Sequence, residues 1–268
     1  MSNTFKEEIR KGTRFEFGKN WKNFLTTVSE EEIQQSTDEI NEWLGTINLK
    51  GKRIIDIGSG SGIHSLSLYK NNPSELVSFD YDHDSVEATT QIWKQSGSPA
   101  NWILMQGSVL DKEFMINLGL FDVVYSWGVL HHTGKMWDAI ENSISLLKPG
   151  GVFCFSIYQK GPGYPMALKL KTTYNNSSIM GKKAMACKFI FRIMASRLMR
   201  GKNPFTWNKK TTRGMNVYHD LVDWMGGLPY EVASQKEIEE FCEVRNLQLV
   251  RVQIMPEGSC STYLFKKH

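Results

Sequence analysis

With 268 residues, 41% of them hydrophobic and 22% charged, the chain can hold one α/β domain of ordinary size and an elaboration on it. It has no run near the roughly 20 apolar residues of a membrane span, and residues 1–19 lack the apolar core of a signal peptide. A cytoplasmic protein without integral membrane association is therefore expected. The net charge of +4 is unevenly placed: between Tyr158 and His219 there is no Asp or Glu, while Lys and Arg recur throughout, leaving the remainder acidic.

Along the chain, the first well-specified element is a helix over Val28–Leu44. Ser29 and Glu32 make a capping box, Val28 and Ile33 a hydrophobic staple, and Gly45 suits the stop. Strands and helices then alternate. Strands are predicted at Arg53–Ile57, Leu76–Asp80, Ile103–Gln106, Phe121–Trp127 and Val152–Tyr158. The intervening helices run from the glycines after Ile57 to Tyr69, over Ser85–Trp93, and over Met136–Leu147, where Lys148-Pro149-Gly150-Gly151 stops the helix and leads into a turn. Such spacing argues for βαβ units on a parallel sheet. Residues 159–232 break the pattern as a basic insertion with helix near Lys182–Arg200. A second capping box, Ser234 with Glu237, opens a helix to about Arg245, and strands at Leu249–Ile254 and Thr262–Phe265 close the chain. Cys154, Cys187, Cys242 and Cys260 lie far apart with no metal-ligand spacing. Three stand in apolar stretches, so buried thiols are expected and no metal is.

The strongest motif is Asp56-Ile57-Gly58-Ser59-Gly60-Ser61-Gly62, where the first strand ends and a helix begins. Its Gly-x-Gly-x-Gly spacing differs from the Gly-x-Gly-x-x-Gly of dinucleotide enzymes, and an acid precedes it by two residues. A pyrophosphate requires a helix N-terminus. S-Adenosylmethionine (SAM) instead presents a cationic amino group and a sulfonium beside a carboxylate. Asp56 can meet that amino group while the glycine backbone accommodates the carboxypropyl chain. About 20 residues on, Asp80 ends the second strand where an acid can hydrogen-bond ribose hydroxyls, and Tyr81 can pack on adenine.

These motifs, with Gln106-Gly107-Ser108-Val109 and the fourth-strand segment from Phe121 to Gly134, resemble the class I SAM-dependent methyltransferases, in the group typified by ubiquinone and menaquinone methylases. The resemblance covers about Lys50–Tyr158 well and Ser234–Lys267 in outline. The flanks Phe15–Trp21 and Asp223–Glu231 are similar to segments of bacterial methyltransferases of mostly unassigned substrate. It implies a Rossmann-like seven-stranded sheet in the order 3-2-1-4-5-7-6, with the last strand antiparallel, helices on both faces and a helical cap after strand five. It implies a helical lid over residues 1–49, a core of 50–158 with 233–268, and a substrate cap over 159–232. By the same resemblance Asp56, Gly58, Ser59, Gly60 and Gly62 hold the methionine end of the cofactor and Asp80 the ribose, while Tyr81, Ser108, Val109 and Trp127 line the rest of its site. At Ser108 many relatives carry Asp, so adenine N6 would be held here by a hydroxyl or by backbone. Trp21, Tyr158, Tyr218 and Trp224 are expected to line the substrate cap.

Methyl transfer needs alignment, desolvation and often a proton acceptor, for which histidine is suited near neutral pH. His132 and His131 follow the fourth strand in the loop that faces the methyl group in this fold, and His132 is preferred; a purely loop-positioning role for both stands beside this. His219, with acids nearby, is the third candidate. In the insertion, Lys182, Lys183, Lys188, Arg192, Arg197, Arg200 and Lys202 alternate with apolar residues that do not gather into one clean stripe on a helical wheel. That weighs against a simple membrane-surface helix. Two readings of these cations stand: a solvated cap, or a positive mouth for an anionic acceptor. The expected function is methylation of a small-molecule acceptor at oxygen. Methylation of RNA at a modified tRNA base is the alternative, and a SAM-binding protein without transferase activity the third.

Overall fold

The computed structural model describes residues 3–25, 29–45, 47–208 and 217–268. The chain begins with α1 (Asn3–Arg10), α2 (Phe17–Leu25) and α3 (Glu30–Leu44), and then alternates: β1 (Arg53–Ile57), α4 (Ile63–Tyr69), β2 (Glu75–Asp80), α5 (His83–Gln95), β3 (Trp102–Gln106), α6 (Lys112–Asn117), β4 (Phe121–Trp127), α7 (Met136–Ser145), β5 (Leu147–Tyr158). The insertion supplies α8 (Tyr164–Asn176), α9 (Ile179–Met199) and α10 (Val217–Gly226), and α11 (Gln235–Glu243), β6 (Leu247–Gln253) and β7 (Cys260–Lys267) complete the chain.

The sheet order is β3-β2-β1-β4-β5-β7-β6, as expected. Strands β1 to β5 pair in parallel, and β7 runs antiparallel to both β5 and β6. Burial on both faces explains the β-branched runs: Ile55 and Ile57 point to one core, with Ala139 and Ile140 of α7 and Ile238 of α11. Ile54 points to the other, with Ile40, Trp43 and Leu44 of α3 and Ile92 of α5. Both capping boxes form, at Ser29 with Glu32 and at Ser234 with Glu237.

Two local expectations change, one holds with ordinary helical geometry, and one falls outside the described residues. Gly45 ends α3 as its C-cap, as expected, and with φ −65°, an ordinary helical value, the stop needs no left-handed residue there. Val28 of the expected staple lies outside the described residues. The Lys148–Gly151 segment continues as the start of β5, because Leu147 already pairs with Phe121. Of the cysteines, Cys154 and Cys242 are buried, but Cys187 is exposed on α9 and Cys260 is only partly covered. Among the described residues, no helix is long and apolar enough to cross a membrane.

Candidate active site

The carboxyl ends of β1, β2 and β4 open into one continuous cavity of about 720 Å³, within the range of small-molecule sites. Asp56, Gly58, Ser59, Gly60, Asp80, Tyr81, Ser108, Val109 and Trp127 all line it, as do His131, His132, Trp21, Tyr158 and Trp224. Two expected residues do not. Gly62 turns away to start α4 with φ +83°, and a Cβ there would lie 2.8 Å from the Thr89 Cα, so this glycine serves the packing of α4 on α5. Tyr218 is 39% exposed and lies outside the cavity lining. Only the backbone of His219, on α10, belongs to the described structure.

At the β1 end, Gly58 has φ +79°, and a Cβ would strike Val129 at 2.4 Å, so the backbone can follow this path only as glycine. Asp56 is 2% exposed and accepts the Ser65 hydroxyl; burial first, and then neighbouring Asp80, raises its carboxyl to about 7. Asp80 accepts the backbone N–H of Gly60 at 3.0 Å and of Asp82 at 2.9 Å, and burial raises it to about 6 against those bonds. No cation figures among the influences on either carboxyl. Such a pair is complemented by a ligand that brings an amino group and hydroxyls. Ser108 Oγ accepts the Leu110 N–H at 3.2 Å, leaving its own proton and a lone pair for a ligand.

The N-terminal helices close this end. Phe5 packs edge-on to Tyr81 with ring centroids 5.3 Å apart, and the Arg14 guanidinium lies 5.2 Å from the same ring. The Gly18 N–H donates to Asp82 at 2.8 Å, anchoring α2 on the N-cap of α5. A Cβ on Gly60 would stand 3.2 Å from the Trp21 indole nitrogen, so Trp21 lies directly over the glycine loop.

At the β4 end, His131 is fully buried, its ring 4.3 Å from that of Tyr158. The His132 Nδ1 lies 2.6 Å from the Pro229 carbonyl oxygen and donates to it, which fixes the tautomer with the Nε2 lone pair free of a proton. Burial, and then the charge of Lys171, pushes His132 down to about 3. The loop is held from outside: Glu231 N–H donates to the His131 carbonyl at 3.0 Å, and the Glu231 carboxylate accepts the Met136 N–H at 3.1 Å.

Sequence reasoning missed Asp223 as a chemical group. It reaches the cavity from α10, next to Trp224, and accepts the Asn20 side-chain amide at 2.7 Å. Burial raises its carboxyl to about 8, which the Asn20 bond and Lys171 only partly oppose. The legible signal was an acid at i+3 from Asp220 on an otherwise apolar helix. The structure also corrects the cationic mouth. Among the described residues none between 159 and 219 lines the cavity, so α8 and α9 do not line it, and the insertion reaches it through Asp220, Asp223 and Trp224 of α10 and through Pro229. Among the cavity's Asp, Glu, Lys and Arg residues the acids prevail: Glu8, Glu39, Asp56, Asp80, Asp82, Asp220 and Asp223, against Arg14 and Lys135.

Among the described residues of the insertion, Lys171 is a buried cation. Lys171 Nζ donates to the Trp224 carbonyl and lies 4.5 Å from the Tyr230 ring, 4.9 Å from Trp224 and 5.6 Å from Tyr158. Burial lowers it to about 7 from its usual 10.5. The unfolded chain thus binds more protons than the folded one between pH 7 and 10.5, and stability rises with pH across that window. Denaturant midpoints of wild type and Lys171→Met, compared at pH 7 and pH 9, should diverge in favour of the wild type as pH rises, because both lose the stabilising protons on Asp56 and Asp223 and only the wild type has the opposing gain from Lys171. Parallel behaviour would mean that the ammonium stays charged.

A family model described as a methyltransferase domain matches residues 48–217. A tRNA U34 carboxymethyltransferase of Saccharophagus degradans is 30% identical over 103 residues, covering 38% of this chain and 31% of that protein. A ubiquinone biosynthesis O-methyltransferase of Coxiella burnetii is 27% identical over 110 residues, covering 41% and 45%. The chain thus spans less than half the length of these curated relatives. The magnesium protoporphyrin IX methyltransferase of Synechocystis PCC 6803, solved with bound S-adenosylhomocysteine, superimposes with a TM-score of 0.57 at 16% identity, covering 93% of this chain and 94% of that one, a likeness of fold. With the domain match extending over more than half of its length, and with the sheet order and glycine loop described above, the chain belongs to the class I SAM-dependent methyltransferases.

Proposed function

We propose that this chain transfers a methyl group from SAM to a hydroxyl of an uncharged small molecule, with Asp223 as the acceptor of the hydroxyl proton. The observation that carries this reading is the continuity of the cavity, which joins the Asp56 and Asp80 carboxylates to an aromatic and imidazole wall ending at Asp223. The bound cofactor supplies an activated methyl on a sulfonium. Asp56 takes the cofactor's amino group, the Gly58–Gly60 backbone its carboxypropyl chain, and Asp80 its ribose, while Tyr81, Ser108 and Val109 border adenine. Trp21 and the α1–α2 segment exclude water from this end, which strengthens every charge interaction inside.

His132 is neutral at any pH near 7 and lines the wall beside the hydroxyl, whose single proton points to Asp223 rather than to Nε2. With its ring held down to about 3, it is too weak a base to retain the proton. Asp223, raised to about 8, matches that task, and Asn20 fixes the carboxylate's direction. Oxygen as the acceptor atom agrees with the name of the Coxiella relative. An uncharged acceptor agrees with the lining, where only Arg14 and Lys135 stand against seven acids and little positive charge is offered to an anion or an RNA backbone. Incubation with methyl-labelled SAM and fractionated metabolites, followed by mass identification, tests the reading. The expected product is the methyl ether of a neutral hydroxyl compound. Label recovered in RNA, in a carboxylate ester or nowhere would overturn it.

A further inference from the structure

The basic insertion contributes little to the cavity, yet α9 is its longest helix and carries an unusual surface. Its inner face is accounted for: Met185, Ala186 and Phe189 pack on Tyr174 of α8 and on Leu221, Trp224 and Met225 of α10. A second apolar line runs along the opposite side. Met180, Ala184, Cys187, Phe191, Ala195 and Leu198 follow steps of four, three, four, four and three, which keeps them on one stripe of a 3.6-residue helix. Met180 is 82% exposed, Phe191 73% and Leu198 65%. Two apolar faces on opposite sides explain why the helical wheel shows no single clean stripe.

Cations flank the outer stripe. On the helical projection Lys183 falls on one side and Lys188 and Arg192 on the other, all exposed. Among the described residues no acid pairs with these three, and none stands anywhere between Tyr158 and His219. Met199, beside Lys188 and Arg192 on the same projection, and Phe205, on the short turn that follows, are each 82% exposed. Bulky apolar side chains edged by unneutralised Lys and Arg complement an interface that is apolar below and anionic above. An apolar protein partner would match the stripe and leave the cations unpaired; a polyanion such as RNA would match the cations and leave Phe191 and Leu198 in water.

We propose that the outer face of α9 docks the protein peripherally on anionic lipid bilayers, with Met180, Phe191 and Leu198 entering the interface and Lys183, Lys188 and Arg192 on lipid phosphates. The helix lies along the membrane surface and does not cross it, with α10 between it and the cavity. The test is sedimentation of the full chain with vesicles of phosphatidylglycerol and phosphatidylcholine, and with phosphatidylcholine alone. Partition to the anionic vesicles is expected, weakening as salt rises. Lys183→Glu, Lys188→Glu and Arg192→Glu combined should reduce it on the order of a hundredfold. Phe191→Ser with Leu198→Ser should reduce it at least about tenfold. Because these side chains are exposed, thermal midpoints of both variants should match the wild type, separating lost docking from lost folding. Absence of partition overturns the proposal. So does partition indifferent to the apolar pair, which would indicate a plain polyanion surface, or a dimer on gel filtration that Phe191→Ser disperses. No cofactor or acceptor enters this measurement, so its failure and a failure of methyl transfer are read separately.

Discussion

Asp223→Asn should lower the turnover number by roughly two to four orders of magnitude, the usual contribution of a positioned general base. The substitution keeps shape and the bond from Asn20, since the asparagine carbonyl accepts what Oδ1 accepted at 2.7 Å. What disappears is the capacity to hold a proton. Wild-type turnover should also rise with pH through about 8, because burial keeps the carboxyl protonated below that value and only the ionised form can accept. A base at His132, held down to about 3, would leave the profile flat from pH 6 to 9. His132→Ala should therefore cost less than Asp223→Asn and leave the midpoint near 8. A flat wild-type profile, or an Asp223→Asn enzyme with full turnover, would remove Asp223 from this role.

The cavity lining at the ends of β1 and β2 was legible because it is confined to contiguous motifs at strand ends. Asp56 through Gly60 and Asp80-Tyr81 sit where a parallel strand must turn, and the turn itself demands the residue types that mark it. Gly62 was misread for the same reason: a glycine within the motif serves helix packing, and spacing does not distinguish the two uses. The acceptor half depends on contacts across the chain. Asp223 gains its raised carboxyl from burial that no local pattern encodes, and its orientation from Asn20, 203 residues away. His132 was legible as a residue following β4, and it lines the cavity, but its low basicity comes from the surrounding wall and from Lys171. The insertion's cations were visible as composition, whereas their direction, outward and away from the cavity, is set by the packing of α9 on α10.

Asp56→Asn should weaken SAM binding by about ten- to a hundredfold at pH 8, the range for a lost hydrogen bond to a charged group. The geometry survives, because asparagine can still accept the Ser65 hydroxyl that Asp56 accepts. The sharper expectation concerns pH. Burial raises Asp56 to about 7 and Asp80 to about 6 in the free protein, while a cationic amino group favours the ionised form of its partner. At pH 8 both carboxylates are ionised and binding meets no protonation cost. Below pH 7 the proton on Asp56 must leave as the cofactor enters, so the dissociation constant should rise about tenfold for each unit of pH, and more steeply below 6 as Asp80 follows. Calorimetric titration in buffers of different ionisation enthalpy at pH 6.5 should report net proton release in the wild type. In Asp56→Asn that release should largely vanish, leaving only the contribution of Asp80. If the wild-type affinity is constant from pH 6 to 8 with no proton released, the amino group of the cofactor does not sit on Asp56.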